Sequence, residues 1–449
     1  MQTLAWKHLS APARAAALAR PAQSAQPRIA AAVSRVIAAV RRDGDAALRR
    51  FTAKFDGVRL RTLKVSPAEF ASAEKTLSAK DKAALKRAWR NIRRFHTAQK
   101  PATIRVETQP GITCEKISRP IERVGLYIPS GSAPLFSTVL MLGVPSQLAG
   151  NPVRVLCTPP GRDGCVSPWI LCAARLCGVT DVFKLGGAQA IAALAHGTRS
   201  VPKCDKLFGP GNAFVTEAKL QVSRDAAGAA IDLPAGPSEV MVIADDSAEP
   251  AFVAADLLSQ AEHGPDSQVV LVALSKRIAG RAAAEVTRQL AGLPRRAIVA
   301  RALKKSRIIL AASRAEAVAI ANACAPEHLI LQVAGPRALL TTVTTAGSVF
   351  LGPWTPESLG DYASGTNHVL PTYGWARACS GLGLADFLRT MTVQTATPRG
   401  LKKLGPIVER LALAEKLAAH QRAVRVRLDR LGVAALYERR RRSQTAATE

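Results

Sequence analysis

From about residue 124 onward, short runs of consecutive apolar residues alternate with longer segments of helical character. VGLYIP, VRVLCTPP, DVFKLGG and KLFGPG have the length and composition of buried strands, and each ends in Gly or Pro, where backbone lies open to a ligand. Between them, SPWILCAARLCGV and AQAIAALAHG have the length and composition of helices. After a Pro/Gly break at DLPAGPSE the alternation resumes with VMVIAD, SQVVLVALS, RIILAAS, HLILQVA and SVFLGPW. Apolar strands separated by helices predict parallel sheets, with ligands at the carboxyl ends of the strands. Two such blocks predict two α/β domains. No short repeat links them, so any kinship between the blocks would be one of structure.

The flanks read differently. Val33, Val36, Ile37 and Val40 follow the i, i+3, i+4, i+7 spacing of an amphipathic helix, which Gly44 ends. Asp45 then caps a second helix carrying Leu48, Phe51 and Phe55. The first 42 residues hold seven Lys/Arg and no acidic residue, a composition shared with transit peptides, but the apolar stripe assigns residue 28 onward to the fold. From about residue 400, LGPIVERLALAEKLAAHQRAVRVRLDRLGVAAL is nearly all helix former. Its apolar stripe needs a covering surface, from its own domain or from a partner subunit.

Composition changes this picture little. A chain of 449 residues, 48% hydrophobic, has ample material for a large core. The most apolar stretch, FSTVLMLGV, is too short to span a bilayer, so no membrane partner is expected. The net charge of +29 raises nucleic acid as a partner, yet the cations are dispersed and only Arg439 to Arg442 form a run. Aromatics are 4% and do not interleave with the basic residues, so no specific nucleic acid is expected; the excess reads as a basic, solvated surface. Eight cysteines form no C-x-x-C pair and fit reduced, partly buried thiols of a cytoplasmic protein.

The candidate chemistry lies in the seven histidines and their neighbours. In VAADLLSQAEHGP, Gln260 and His263 project about 60° apart at a helix end. They form either an edge able to share a metal or a polar end meeting solvent. In ACAPEHLILQV, Glu327 and His328 stand at a Pro-led turn before a strand: an acid-base pair if the chain bends there, polar strand ends if it does not. ESLGDYASGTNHVLPTYG reads as a long Gly/Ser/Thr loop holding Asp361, a hard oxygen donor, and His368. Glu415 and His420 lie about 140° apart on the C-terminal helix and face one ligand only along the seam between them. LGGAQAIAAL and LFGPGNAFVTEAK each run strand, Gly-rich turn, helix, a geometry that favours anions. Neither is a complete G-x-G-x-x-G, because Phe214 stands where the third glycine would fall.

Taken together, VGLYIPSGSAPLFSTVLML, KLGGAQAIAALAHGT, FGPGNAFVTEAK, DLPAGPSEV, DLLSQAEHGPDSQ, PEHL, TAGSVFLGPW, GDYASGTNHVLPT and LAEKLAAH resemble the histidinol dehydrogenase family, in family order from about residue 120 to 425. The resemblance implies a zinc-dependent enzyme that oxidises L-histidinol to L-histidine in two steps with two NAD, in the cytoplasm. It implies zinc ligands Gln260, His263, Asp361 and His420, and substrate contacts from these four together with Ser238, His328 and Glu415. It implies an NAD site at Tyr127, Gln189 and Asn212. Glu327 would activate water, and His328 would shuttle the alcohol and hydrate protons. The implied fold has two Rossmann-like domains with parallel sheets plus small N- and C-terminal helical segments. Residues 1–27 form a helical extension; 28–125 with 237–380 form the first α/β domain, carrying metal and catalytic residues; 126–236 form the second, carrying NAD; 381–449 form a helical segment that completes the partner's site in a homodimer. Two rivals remain: a zinc hydrolase using the same ligands on water, and a basic nucleic-acid-binding protein.

Overall fold

The computed structural model describes residues 1–20, 26–130, 134–233 and 236–445, and the chain divides into two compact units. The first comprises Met1–Lys100 and Pro120–Phe387; the second comprises Pro101–Arg119 and the chain from Leu388 on. Parts of two quoted stretches, residues 131–133 and 234–235, lie outside the described residues.

The first unit contains two sheets whose strands all run parallel. In the five-stranded sheet the order is Asp181–Lys184, Val153–Thr158, Arg123–Tyr127, Lys206–Phe208, Ala230–Ile231. The chain starts in the middle, winds outward one way and then returns to wind the other, which opens a crevice between Arg123–Tyr127 and Lys206–Phe208. The six-stranded sheet repeats this winding with Arg307–Leu310, Gln268–Ala273, Glu239–Ala244, His328–Gln332, Ser348–Leu351, and adds Gln2–Ala5 outside Arg307–Leu310. The two blocks are thus topological copies of one another.

Both sheets are covered on two faces, which is why their strands are apolar without alternation. Val155 and Cys157 pack with Val33, Val40, Leu48 and Ile191 on one side of the five-stranded sheet, while Leu156 packs with Phe70, Leu85, Ile92 and Leu142 on the other. The predicted stripe of Val33, Val36, Ile37 and Val40 is therefore core. It belongs, however, to the five-stranded sheet. Residues 28–97, expected with the six-stranded sheet, contribute helices to both faces of the other sheet, and 101–119 fall in the second unit. Periodicity identifies a buried face but not the surface that buries it.

Two further expectations change. Residues 1–27 are not simply a helical extension: Gln2–Ala5 pairs in register with Arg307–Leu310, and Trp6 and Leu4 pack beneath the sheet. A four-residue strand is too short to show a period, and the open edge supplies its hydrogen bonds. The C-terminal segment is not wholly helical either. Leu388–Ala396 is a strand beside Ile112–Pro120, which pairs antiparallel with Ile104–Gln109; the helices Pro398–Ala414 and Ala418–Thr445 follow. Ile407, Leu411, Leu413 and Val426 on those helices remain exposed.

Gly209 follows the strand Lys206–Phe208 at the crevice with φ +121°, and a Cβ there would stand 2.1 Å from the Tyr127 carbonyl oxygen. Gly209→Ala is expected to cost at least roughly 1–3 kcal/mol, read as a lower urea midpoint. Gly432→Ala, where an added Cβ meets nothing on an exposed helix, should instead gain up to about 1 kcal/mol.

Candidate active site

The helix Pro250–Ala261 runs back against the strands of the six-stranded sheet, so its last turn arrives at their amino ends. It delivers Gln260, fully buried, and just beyond it His263. The strands Glu239–Ala244 and His328–Gln332 are neighbours, with His328 opposite Val240, so Ser238, Glu239, Glu327 and His328 share that edge. The carboxyl-end expectation does not hold for this sheet: its candidate residues gather at the amino edge. The predicted loop around Asp361 begins as a short helix, Glu357–Tyr362, which sets Glu357 and Asp361 one turn apart on the same side.

Backbone contacts make the Glu327–His328 bend that an acid-base pair requires. The Glu239 N–H donates to Glu327 Oε2 at 2.8 Å, and His328 Nδ1 lies 3.0 Å from the Glu239 carbonyl oxygen. A carbonyl only accepts, so Nδ1 carries a proton and Nε2 is the nitrogen at which a proton is gained or lost. His328 Nε2 is buried without a hydrogen-bond partner and faces Asp361 Oδ1 at 3.6 Å. Glu239 is itself clamped: Arg20 donates Nε to Oε1 at 3.0 Å and Nη2 to Oε2 at 2.8 Å, and the Tyr373 N–H donates to Oε1 at 2.7 Å. Arg20 also donates to the Cys324 carbonyl at 2.8 Å.

The ligand atoms of His263, Glu357 and Asp361 all lie within 4.8 Å of one another. Ser238 Oγ is 3.3 Å from His263 Nδ1. The Gln260 amide touches both carboxylate oxygens of Glu357 and the Glu239 N–H. With its nitrogen toward Glu357 the amide donates to that carboxylate, and its oxygen accepts from Glu239 at 3.1 Å. With its oxygen toward Glu357 two acceptors meet, an arrangement stabilised only by a cation between them. An imidazole, two carboxylates and an amide oxygen form a borderline donor set that fits zinc. His368 buttresses the cluster: its Nδ1 donates to the Asp361 carbonyl at 2.8 Å, and its Nε2 accepts from the Thr138 hydroxyl at 3.2 Å.

Charge follows burial. Burial pushes the Glu327 carboxyl up and the Glu357 carboxyl well up. It pulls His263 and His368 down, toward neutral imidazoles. Burial would lower His328 too, but the carboxylates of Glu327, Glu357 and Asp361 outweigh it and lift its pKa well above the ordinary value. Asp361, despite its own burial, is held below the usual carboxylate range by His328 and the other imidazoles.

These groups border a cavity of about 560 Å³ lined by Ser238, His263, Glu327, His328 and Asp361. A second cavity of about 1150 Å³ is lined by Tyr127, Gly187, Gln189 and Asn212. His263, Asn212 and Tyr362 border both, so the two spaces adjoin. Tyr127 is buried with its hydroxyl accepting from the Gly187 N–H at 3.0 Å. Asn212 caps the helix Ala213–Arg224 through its side-chain oxygen, leaving its amide nitrogen to the cavity. Of the expected residues, the fold gathers Ser238, Gln260, His263, Glu327, His328 and Asp361 along one edge, and Tyr127, Gln189 and Asn212 around the second cavity. Glu415 and His420 belong to the second unit and are exposed there. They do not share one helix as expected: Glu415 ends Pro398–Ala414, Lys416 turns the chain at φ +61°, and His420 stands in the first turn of Ala418–Thr445. Sequence reading missed Glu357, Glu239 and Arg20. The i, i+4 spacing of Glu357 and Asp361 was a signal for the first, hidden by a glycine-containing stretch read as loop.

A switch-point crevice bordered by glycine-rich turns, adjoining a carboxylate-imidazole pair and a nitrogen/oxygen cluster able to hold a metal, has the layout expected of a dinucleotide-using oxidoreductase. The sequence model described as histidinol dehydrogenase matches residues 18–428. The chain is 56% identical over 431 residues to the histidinol dehydrogenase of Vibrio vulnificus (strain YJ016), covering 96% of this chain and 99% of that one. It is 55% identical over 426 residues to that of Escherichia coli (strain K12), covering 95% and 97%. It is similar to the crystal structure of histidinol dehydrogenase from Elizabethkingia anophelis with a TM-score of 0.91 and 46% identity, over 96% of this chain and 99% of that one. The chain belongs to the histidinol dehydrogenase family, NAD-dependent oxidoreductases of histidine biosynthesis.

Arg20→Met is expected to cost about 3–5 kcal/mol, because it leaves the Glu239 carboxylate buried and unpaired. Chemical unfolding reads this loss, and adding Glu239→Gln to the same chain should recover much of it.

Proposed function

We propose that this chain oxidises L-histidinol through L-histidinaldehyde to L-histidine, with two NAD and one zinc per subunit, as a cytoplasmic homodimer. The observation that carries the reading is the meeting of the donor cluster and the Glu327–His328 pair in one cavity that adjoins the Tyr127–Gln189–Asn212 space. Gln260, His263 and Asp361 hold zinc, with Glu357 close enough to share or steady it. Glu415 and His420 come from the C-terminal segment of a second copy, which also gives that segment's exposed apolar side chains a cover. Ser238 orients substrate beside His263.

NAD supplies the hydride acceptor for each oxidation, and zinc supplies a Lewis-acid anchor for the imidazole and amine of the substrate. His328, its Nδ1 proton fixed by the Glu239 carbonyl, takes the alcohol proton on Nε2 as the carbinol carbon gives up hydride. Glu327 takes a proton from the water that adds to the aldehyde carbon. Once His328 has passed the first proton to solvent, its Nε2 takes the proton of the resulting hydrate for the second oxidation. Burial raises Glu327 toward the pH at which a carboxylate serves as a base.

The direct test is NADH formation from L-histidinol before and after chelation. Two NADH per histidinol, lost with the metal and restored by zinc, are expected; none from a folded, zinc-loaded protein overturns the reading. Glu327→Gln should slow the aldehyde step about 10²–10⁴-fold and the alcohol step less; equal loss on both substrates would contradict this division of labour. His263→Asn should abolish stoichiometric zinc, measured by elemental analysis.

A further inference from the structure

Asp56 ends the helix Asp45–Phe55 and lines the larger cavity together with Tyr127, Gly187 and Gln189. Its Oδ1 lies 3.4 Å from the point where a Cβ on Gly186 would sit, which places it beside the glycine turn that starts the helix Gly187–His196. Its Oδ2 is buried without a hydrogen-bond partner. Arg35, Lys54 and Arg162 line the same cavity, yet none of them offsets the burial of the Asp56 carboxyl. Burial alone pushes its carboxyl up to about 6, so near neutral pH the group is still mostly ionised but poorly solvated. An unpaired carboxylate at such a place costs stability and lacks only donors.

Resting on the dinucleotide reading of this cavity, we propose that Asp56 accepts hydrogen bonds from the ribose diol at the adenosine end of NAD and selects against a 2′-phosphate there. Three observations argue for this group. The glycine turn at the helix start suits the diphosphate, and the sugar joined to a diphosphate is the first hydroxyl-bearing group beside it. A vicinal diol offers two O–H donors, whereas a 2′-phosphate replaces one of them with negative charge. Asp56 borders the larger cavity but not the one holding Glu327 and His328, so it lies on the side away from the reacting end.

The test measures dinucleotide binding to the zinc-loaded protein directly, by calorimetry and by NADH fluorescence, with Asp56→Asn beside wild type. NAD binding should weaken about 10–100-fold, the span of one lost charge-assisted hydrogen bond. The preference for NAD over NADP should narrow by at least about tenfold, and 2′-deoxy-NAD, which keeps only the 3′-hydroxyl donor, should lose less than NAD does. Thermal stability should stay the same or rise, since a buried unpaired charge has been removed. A merely structural Asp56 would give the opposite pair of results, lower stability with unchanged NAD binding, and would overturn the proposal. Equal loss for NAD and 2′-deoxy-NAD would overturn it as well. Should Asp56→Asn misfold, Asp56→Ser tests the same selectivity. Failure of wild type to bind any dinucleotide would sink the reading of the cavity itself; wild-type binding with no effect at position 56 sinks only this inference.

Discussion

At the amino end of the central strand of the six-stranded sheet, the guanidinium of Arg20 grips both carboxylate oxygens of Glu239 inside the protein. Burying two charges is expensive, and such a pair is weak evidence for stability in itself. Its value here is geometric. Glu239 offers its backbone N–H to Glu327 and its carbonyl to His328, so fixing this one residue fixes the separation and the tautomer of the acid-base pair. Arg20 simultaneously takes the carbonyl of Cys324, next to Ala325, which adopts φ +51°. The turn that presents Glu327 and the strand that receives it are held by the same cation.

Around that clamp the fold concentrates negative charge. Glu327, Glu357 and Asp361 surround one imidazole, and Asp256, pushed up to about 6 by burial, stands one turn before Gln260 on the same helix. Carboxylates brought this close repel each other unless protons or a cation intervene. The raised positions of Glu327 and Glu357 and the elevated pKa of His328 are the response of the protein part alone. A divalent ion among the same donors would supply the compensation in another form.

The two sheets have the same winding but offer opposite ends to the smaller cavity. The five-stranded sheet contributes residues beyond the carboxyl ends of its strands, Pro129 and Asn212; the six-stranded sheet contributes the amino ends, Ser238, Glu327 and His328. A dinucleotide crevice uses helix N-termini and flexible glycine turns, which lie at carboxyl ends. A donor cluster of long side chains needs no such dipole, and the end of a helix returning against the strands delivers Gln260 and His263 to the amino edge. One topology therefore furnishes two kinds of site.

The chain's local pattern determined the parallel α/β class, the apolar strands, the stripe of Val33 to Val40 and the positions of nearly every candidate donor, because each depends on residues within a few turns of one another. Family-specific blocks such as DLLSQAEHGPDSQ and GDYASGTNHVLPT made the site readable even where single residues were ambiguous. What the sequence left open involves distant partners. The edge pairing of Gln2–Ala5, the sheet that receives residues 28–97 and the gathering of candidate residues at the amino edge are decided by contacts between residues far apart in the sequence. Glu239 and Arg20 are unremarkable in the sequence, 219 residues apart. Only the tertiary structure brings them together, because burial, and not local spacing, forces a lone carboxylate to find its cation.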